Sequence, residues 1–237
     1  MRILAVDTAT EICGVGLSTT GKLQVELSFS HGETHARHLM EGVRSVLDLA
    51  GISLADVDAY AVTRGPGSFT GLRIGISTVK GMAMAMGKPV AGVSSLAVLA
   101  HQVGKSEELI CPMLDARRRE VYWAVYRWQD DTLVAVLPEQ VGPPALVGDH
   151  ITGPCRFIGS GVRHYQEEVS GRLKHAARWI TGENARIRVG WVASLARQKL
   201  LQRISDDIRT FGPVYLRKSD AELNFGRKAK DGNPHSK

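Results

Sequence analysis

The residues best placed to do chemistry lie in the segment 64–71, RGPGSFTG. An apolar run, Tyr60 to Val62, stops at a loop holding Gly65, Pro66 and Gly67, and Ser68 stands where a helix N-cap belongs. Backbone amides at a glycine loop and helix N-terminus bind anions, so the loop reads as a phosphate cradle. Against that, the Walker spacing G-x-x-x-x-G-K-[ST] is absent, Lys80 comes too late, and no dinucleotide fingerprint is present. The other reading is a tight turn into a helix whose small residues, Gly71, Gly75 and Thr78, let something pack close. A glycine inside a helix costs about 1 kcal/mol, so two of them four apart need a reason.

Other clusters are weaker. Asp7, with Thr8 and Thr10, follows an apolar run. A carboxylate there can hold a metal near nucleotide phosphates, but its loop, DTATE, has no glycine to let a phosphate reach the backbone. A turn-stabilising Asp fits equally well. His31, His35 and His38 have the spacing of a helical metal pair, yet His31 precedes Gly32 and falls before the helix, and no third ligand is near. A solvated or interface cluster is the better reading. Arg117, Arg118 and Arg119 sit in a turn and suit either solvent or RNA phosphate. No nucleophile–base arrangement and no paired acids stand out.

The elements that must position these residues follow from periodicity. Residues 2–7, 13–19 and 22–30 read as strands, with Gly21 at a hairpin turn. A helix over 34–50 carries Leu39, Met40, Val43, Val46, Leu47 and Ala50 at helical spacing, closed by Gly51. A strand at 57–63, a helix at 69–86 ended by Gly87 and Pro89, a strand at 89–93 and a helix capped by Ser94 or Ser95 come next. The order β-β-β-α-β-α-β-α predicts a mixed sheet with helices on its faces. Strands at 108–115, 119–128 and 132–137 begin the second half, then helices near 163–169 and at 190–204, the latter with Trp191, Leu195, Leu200 and Ile204 among its apolar positions. Asp7 and Asp115 each end a strand and each precede the next by six residues. The match is short and leaves internal duplication and coincidence both open. The boundary divides the chain into a lobe of 1–105, a lobe of 106–217 whose last segment can pack back on the first, and a polar tail, 218–237, expected to be disordered.

The 237 residues suffice for one large or two small domains. No apolar stretch is long enough to span a bilayer, and the N-terminus reads as a strand and not a signal. Three distant cysteines, Cys13, Cys111 and Cys155, suggest reduced thiols in a cytoplasmic protein. The net charge of +6 points to an anionic neighbour, although the tail supplies part of it.

The segments ILAVDTATE, THARHL, TRGPGSFTGLRIG, KGMAMAMGKPVAGVSSL, MLDARRREVY and PVYLR together resemble the TsaB (YeaZ) family, in order across 2–217. The resemblance implies a two-lobed actin-like, sugar-kinase and heat-shock-70 (ribonuclease H-like) α/β fold with duplicated mixed sheets. It implies a non-catalytic scaffold that binds the related TsaD, and with it the ATPase TsaE, to put a threonylcarbamoyl group on the adenosine next to the anticodon in tRNAs reading ANN codons. The chain alone would be a homodimer, with tRNA met through the complex. ATP and metal would belong to TsaE and TsaD, so no cofactor, metal or catalytic residue is expected here.

The family's partner interface maps onto His35, His38, Leu39, Val43, Gly71, Leu72, Gly75, Val79, Met82 and Met86. Vestigial nucleotide or phosphate contacts would fall to Asp7, Thr8, Gly65, Gly67 and Ser68. At the positions of the metal-binding His-x-x-x-His of TsaD this sequence has Ser95 and Leu99. An ATP-dependent kinase of the same fold and a metallopeptidase-like protein are the alternatives.

Overall fold

The computed structural model describes residues 1–30 and 35–217, and the side chains of all these except 35–37. His31, the side chain of His35 and the tail from 218 lie outside the described residues.

The first sheet contains β1 (Arg2–Asp7), β2 (Cys13–Thr19), β3 (Lys22–Phe29), β4 (Ala59–Thr63) and β5 (Val90–Val93) in the order β3-β2-β1-β4-β5. The first three pair antiparallel as hairpins; β4 and β5 join in parallel. Its helices are α1 (His35–Ala50), α2 (Phe69–Met86) and α3 (Ser95–Gln102). Ser68 caps α2 by accepting the Gly71 N–H at 3.2 Å, and Gly87 closes it in the left-handed conformation. Ser94 caps α3 by accepting the Ala97 N–H.

The second half repeats the plan. β6 (Leu109–Arg117), β7 (Glu120–Gln129), β8 (Thr132–Gly142), β9 (Cys155–Ile158) and β10 (Ala177–Ile180) pair in the order β10-β9-β6-β7-β8. They alternate with α4 (Pro144–His150), α5 (Ser160–Ser170) and α6 (Val189–Leu201). The same strand order with the same helix placement answers the question the two aspartates left open: the fold is a two-lobed duplication. Sequence periodicity missed α4, β9 and β10. Each is short, α4 contains Gly148, and both strands carry an arginine at their second position.

The third helix of each half crosses to the other half. Helix α3 packs on β6, β7 and β8, and α6 packs on β1, β2, β4 and β5. Glycines make room for it. Gly14 and Gly16 share one face of β2, and a Cβ on either would meet Val189 at 2.8 and 2.7 Å. The opposite face of β2, through Val15, lies against α1. With helices on both faces, β1 from Ile3 onward and all of β4 are buried. The buried residues of α6 are Val189, Val192, Ala193 and Ala196, which corrects the expected apolar face: Trp191 is partly exposed, and Ile204 lies beyond the helix and is exposed. Residue 105 lies between the two sheets, and α6 and residues 203–217 pack back from the second half on the first sheet and its loops.

Candidate functional site

Asp7 ends β1 opposite Gly14 and is buried. Its Oδ1 accepts the Thr63 hydroxyl at 2.6 Å and the Ala9 N–H at 3.1 Å. Burial pushes its carboxyl up to about 6, only partly offset by these two donors. The next residue turns away: the Thr8 hydroxyl donates to the Gly71 carbonyl at 2.7 Å. Gly75, one turn further along α2, is the pocket for Thr8, and a Cβ there would collide with the Thr8 hydroxyl. Gly67 lies against the backbone of Ala9, whose carbonyl a Cβ would strike, and the Ser68 N–H donates to that carbonyl at 2.7 Å.

The glycine loop therefore does cradle an acceptor oxygen, but that oxygen belongs to the chain's own β1–β2 turn. The Ser68 amide is engaged by Ala9, and the Gly71 amide by the Ser68 hydroxyl. At Gly65, Gly67 and Ser68, where vestigial phosphate contacts were expected, the chain's own backbone at Ala9 and Val214 packs against the loop. Gly65 (φ 120°), joined to Pro66 by a cis peptide, lies against the Val214 carbonyl, and its own carbonyl accepts the Ser95 N–H at 2.9 Å.

Val214 belongs to a strap, residues 203–217, that straddles the loop. Asp206 anchors it, accepting from Arg64 at 3.0 Å and from the Gly92 N–H at 2.7 Å, with Lys199 at 3.6 Å. Phe211 is buried against Gly92, where a Cβ would find its ring at 2.6 Å, and under the Arg64 guanidinium. Val214 donates to the Arg64 carbonyl at 2.7 Å. Tyr215 stacks on Phe69 with ring centroids 4.5 Å apart, and Arg217 pairs with Glu120 at 2.9 Å. Sequence reading allowed the last segment to pack back on the first lobe, but did not find the anchor at Asp206 or the path of the strap over the loop. Its polar, irregular sequence carries no period, and Asp206 is flanked by nothing that marks it.

The expected interface residues divide. Leu39, Val43, Gly71, Leu72, Gly75, Val79 and Met82 are buried within the chain's own core, so they hold α1 and α2 from inside. That corrects their assignment to a partner. Met86 is half-buried against the core, and His38 stacks near Phe29 with its Nδ1 3.7 Å from Glu41. The outward faces carry Met40 and Leu49 on α1, and Ser77, Gly81, Met84 and Ala85 on α2. Gly81 faces open space: a Cβ there meets nothing within 4 Å.

Ser95 and Leu99 are both fully buried. Among the described residues no group of three His, Cys, Asp or Glu side chains could hold a metal, and no helix is long and apolar enough to cross a membrane. The three cysteines are free and buried.

The counterpart of Asp7 has different surroundings. Asp115 Oδ1 accepts the Arg117 N–H at 2.9 Å and the Tyr165 hydroxyl at 3.2 Å, and its N–H donates to Ser160. Arg117, Arg118 and Arg119 follow with φ of 59°, 56° and 60°, all exposed.

Residues 30–225 match the family described as TsaD, tRNA N6-adenosine threonylcarbamoyltransferase. The tRNA threonylcarbamoyladenosine biosynthesis protein TsaB of Escherichia coli (strain K12) is 38% identical over 169 residues, 68% of this chain and 72% of that protein. TsaB of Bacillus subtilis (strain 168) is 28% identical over 231 residues, 95% and 98% of the two chains. Among solved structures, YeaZ from Pseudomonas aeruginosa matches with a TM-score of 0.77 at 32% identity, over 91% of this chain and 99% of that one.

Proposed function

The chain belongs to the TsaB (YeaZ) family, and from that premise we propose that it serves tRNA threonylcarbamoyladenosine biosynthesis as a non-catalytic subunit. In this reading it docks on TsaD in the cytoplasm, with TsaE joining, and supports transfer to the adenosine next to the anticodon in tRNAs reading ANN codons. The chain alone pairs with itself. ATP and metal act on the partners.

The observation that carries the reading is the plugged loop. Where a catalytic relative needs space for phosphates, Ala9 and Thr8 fill the cradle, and the buried Asp7 is turned to Thr63. Ser95 and Leu99, where TsaD has its histidine pair, are buried and offer no imidazole. The docking surface is assigned to the outer faces of α1 and α2, where Met40, Leu49, Gly81 and Met84 stand exposed. Methionine adapts to a partner's shape.

Replacing Gly75 cannot test this, because the intruding side chain would meet Thr8 in the same chain. Gly81→Glu can: it enters open space inside α2 and should leave thermal stability unchanged or slightly raised. Co-purification with TsaD should be lost, and with it the restoration of tRNA modification by TsaD and TsaE. Normal pairing by a folded Gly81→Glu chain would reject the surface. Full modification without this chain would reject the role.

A further inference from the structure

The β6–β7 turn and the strap meet on one surface. Arg217 of the strap reaches Glu120, the residue after the arginine run. Two residues back, at most about 7 Å along the chain, Tyr215 stacks on Phe69 with an interplanar angle of 23°. The Arg73 guanidinium lies 4.0 Å over the Phe69 ring, and its Nε donates to the Tyr215 hydroxyl at 2.9 Å. Tyr215 remains 39% exposed, so part of its ring is open.

The cations gathered here are arginines: Arg73, Arg117, Arg118, Arg119 and Arg217. Arginine offers a planar fork that fits phosphate bidentately and stacks on rings, which lysine cannot do. In a left-handed turn, successive side chains fan out around the axis, so the three consecutive arginines cover a wide arc. Non-glycine residues hold that conformation only where the surroundings enforce it. Here the enforcement comes from below, through Asp115 bonded to the Arg117 N–H, Tyr165 and Ser160. Two acids at this surface are Glu120, paired with Arg217, and Glu168, 4.0 Å from Arg119.

We propose that this surface binds RNA directly, with the arginine turn on backbone phosphates and the Tyr215–Phe69–Arg73 stack receiving an unpaired base. Guanidinium groups interleaved with aromatic faces suit RNA better than an acidic protein, which would have no use for the stack. The idea deepens the tRNA reading above and rests on it, because it makes this chain a contact for the tRNA and not only a support for TsaD.

The test is fluorescence anisotropy of the full chain with a labelled tRNA transcript that reads an ANN codon, titrated across salt. Wild type should bind with a steep salt dependence. The triple variant R117Q/R118Q/R119Q should bind about tenfold or more weakly at 0.1 M salt and lose about two units of the log–log salt slope. Tyr215→Leu should weaken binding about fivefold with the slope kept, since stacking releases no counterions. K22Q, exposed at the start of β3, should bind as wild type does. Thermal melts of each variant separate lost contact from lost fold.

Wild-type affinity and slope in a folded triple variant would overturn the proposal. So would displacement of the tRNA by polyglutamate at equal charge, which would mark an acidic-protein surface. A modification assay with TsaD and TsaE distinguishes the failures. A chain that supports modification while its variants bind tRNA normally loses only this surface; a chain that never supports modification loses the tRNA function itself.

Discussion

The turn after β1 and the turn after β6 hold the same place in two copies of one topology, yet they are built in opposite senses. The first folds inward. Asp7 is buried, Thr8 enters the gap left by Gly75, and Ala9 is bonded into the glycine loop. The second folds outward, with its aspartate holding up a left-handed run of exposed arginines. The difference shows how a duplicated fold specialises. The sheets must keep their order to stay packed, while each turn is free to become a plug or a contact surface.

The largest effect that can break this comparison is at Gly67. Gly67→Ala drives a methyl into the Ala9 carbonyl, and backbone on both sides cannot yield. A loss of about 4–5 kcal/mol or no folded protein is expected, at the extreme of single substitutions. Arg117→Ala, in the outward turn, should stay within about 0.5 kcal/mol. Similar urea midpoints for the two variants would mean the first turn is not a plug.

Phe211→Ala comes next, because the strap lies over the glycine loop into which the first turn is bonded. Removing a ring this buried should cost about 3–5 kcal/mol and expose the Val214 amide to hydrogen exchange. Unchanged protection there would detach the strap from the loop's integrity.

The third sharpens the buried aspartate. The folded carboxyl titrates near 6, above its ordinary 3.8. The native state therefore holds this proton more tightly than the unfolded state, and stability is lost as pH rises from about 4 through 6. Asp7→Asn stays neutral in both states and lacks that loss. From pH 4 to pH 7 the variant should gain about 2–3 kcal/mol relative to wild type, measured by urea midpoints. A constant difference would place the charge in a solvated setting.

The smallest is Arg117→Gly. Glycine accepts φ of 59° without a Cβ penalty, and after its larger unfolded-state entropy the net gain should be under about 1 kcal/mol. A loss would show that the left-handed run is not strained.

Much of the frame was legible in sequence. Alternating and continuous apolar runs marked most strands, Ser68, Ser94 and Gly87 marked helix ends, and the paired aspartates hinted at duplication. What failed was the identity of neighbours. Gly71 and Gly75 did announce a close approach, but to Thr8, sixty-odd residues away, and not to a partner. An apolar stripe such as Leu39, Val43 and Val46 states that it must be covered, and cannot state by what. The same holds for Gly14 and Gly16, which make the space for a helix from the far half of the chain.

That exchange of helices has a consequence during synthesis. When the first five strands have left the ribosome, one face of their sheet is still bare, because α6 lies about a hundred residues downstream. At about 5–20 residues per second, the sheet waits on the order of 5–20 s for its cover. The nascent first half is therefore a client for whatever shields apolar surface at the exit tunnel. A truncation ending before α6 should aggregate as it emerges, however intact its own strands.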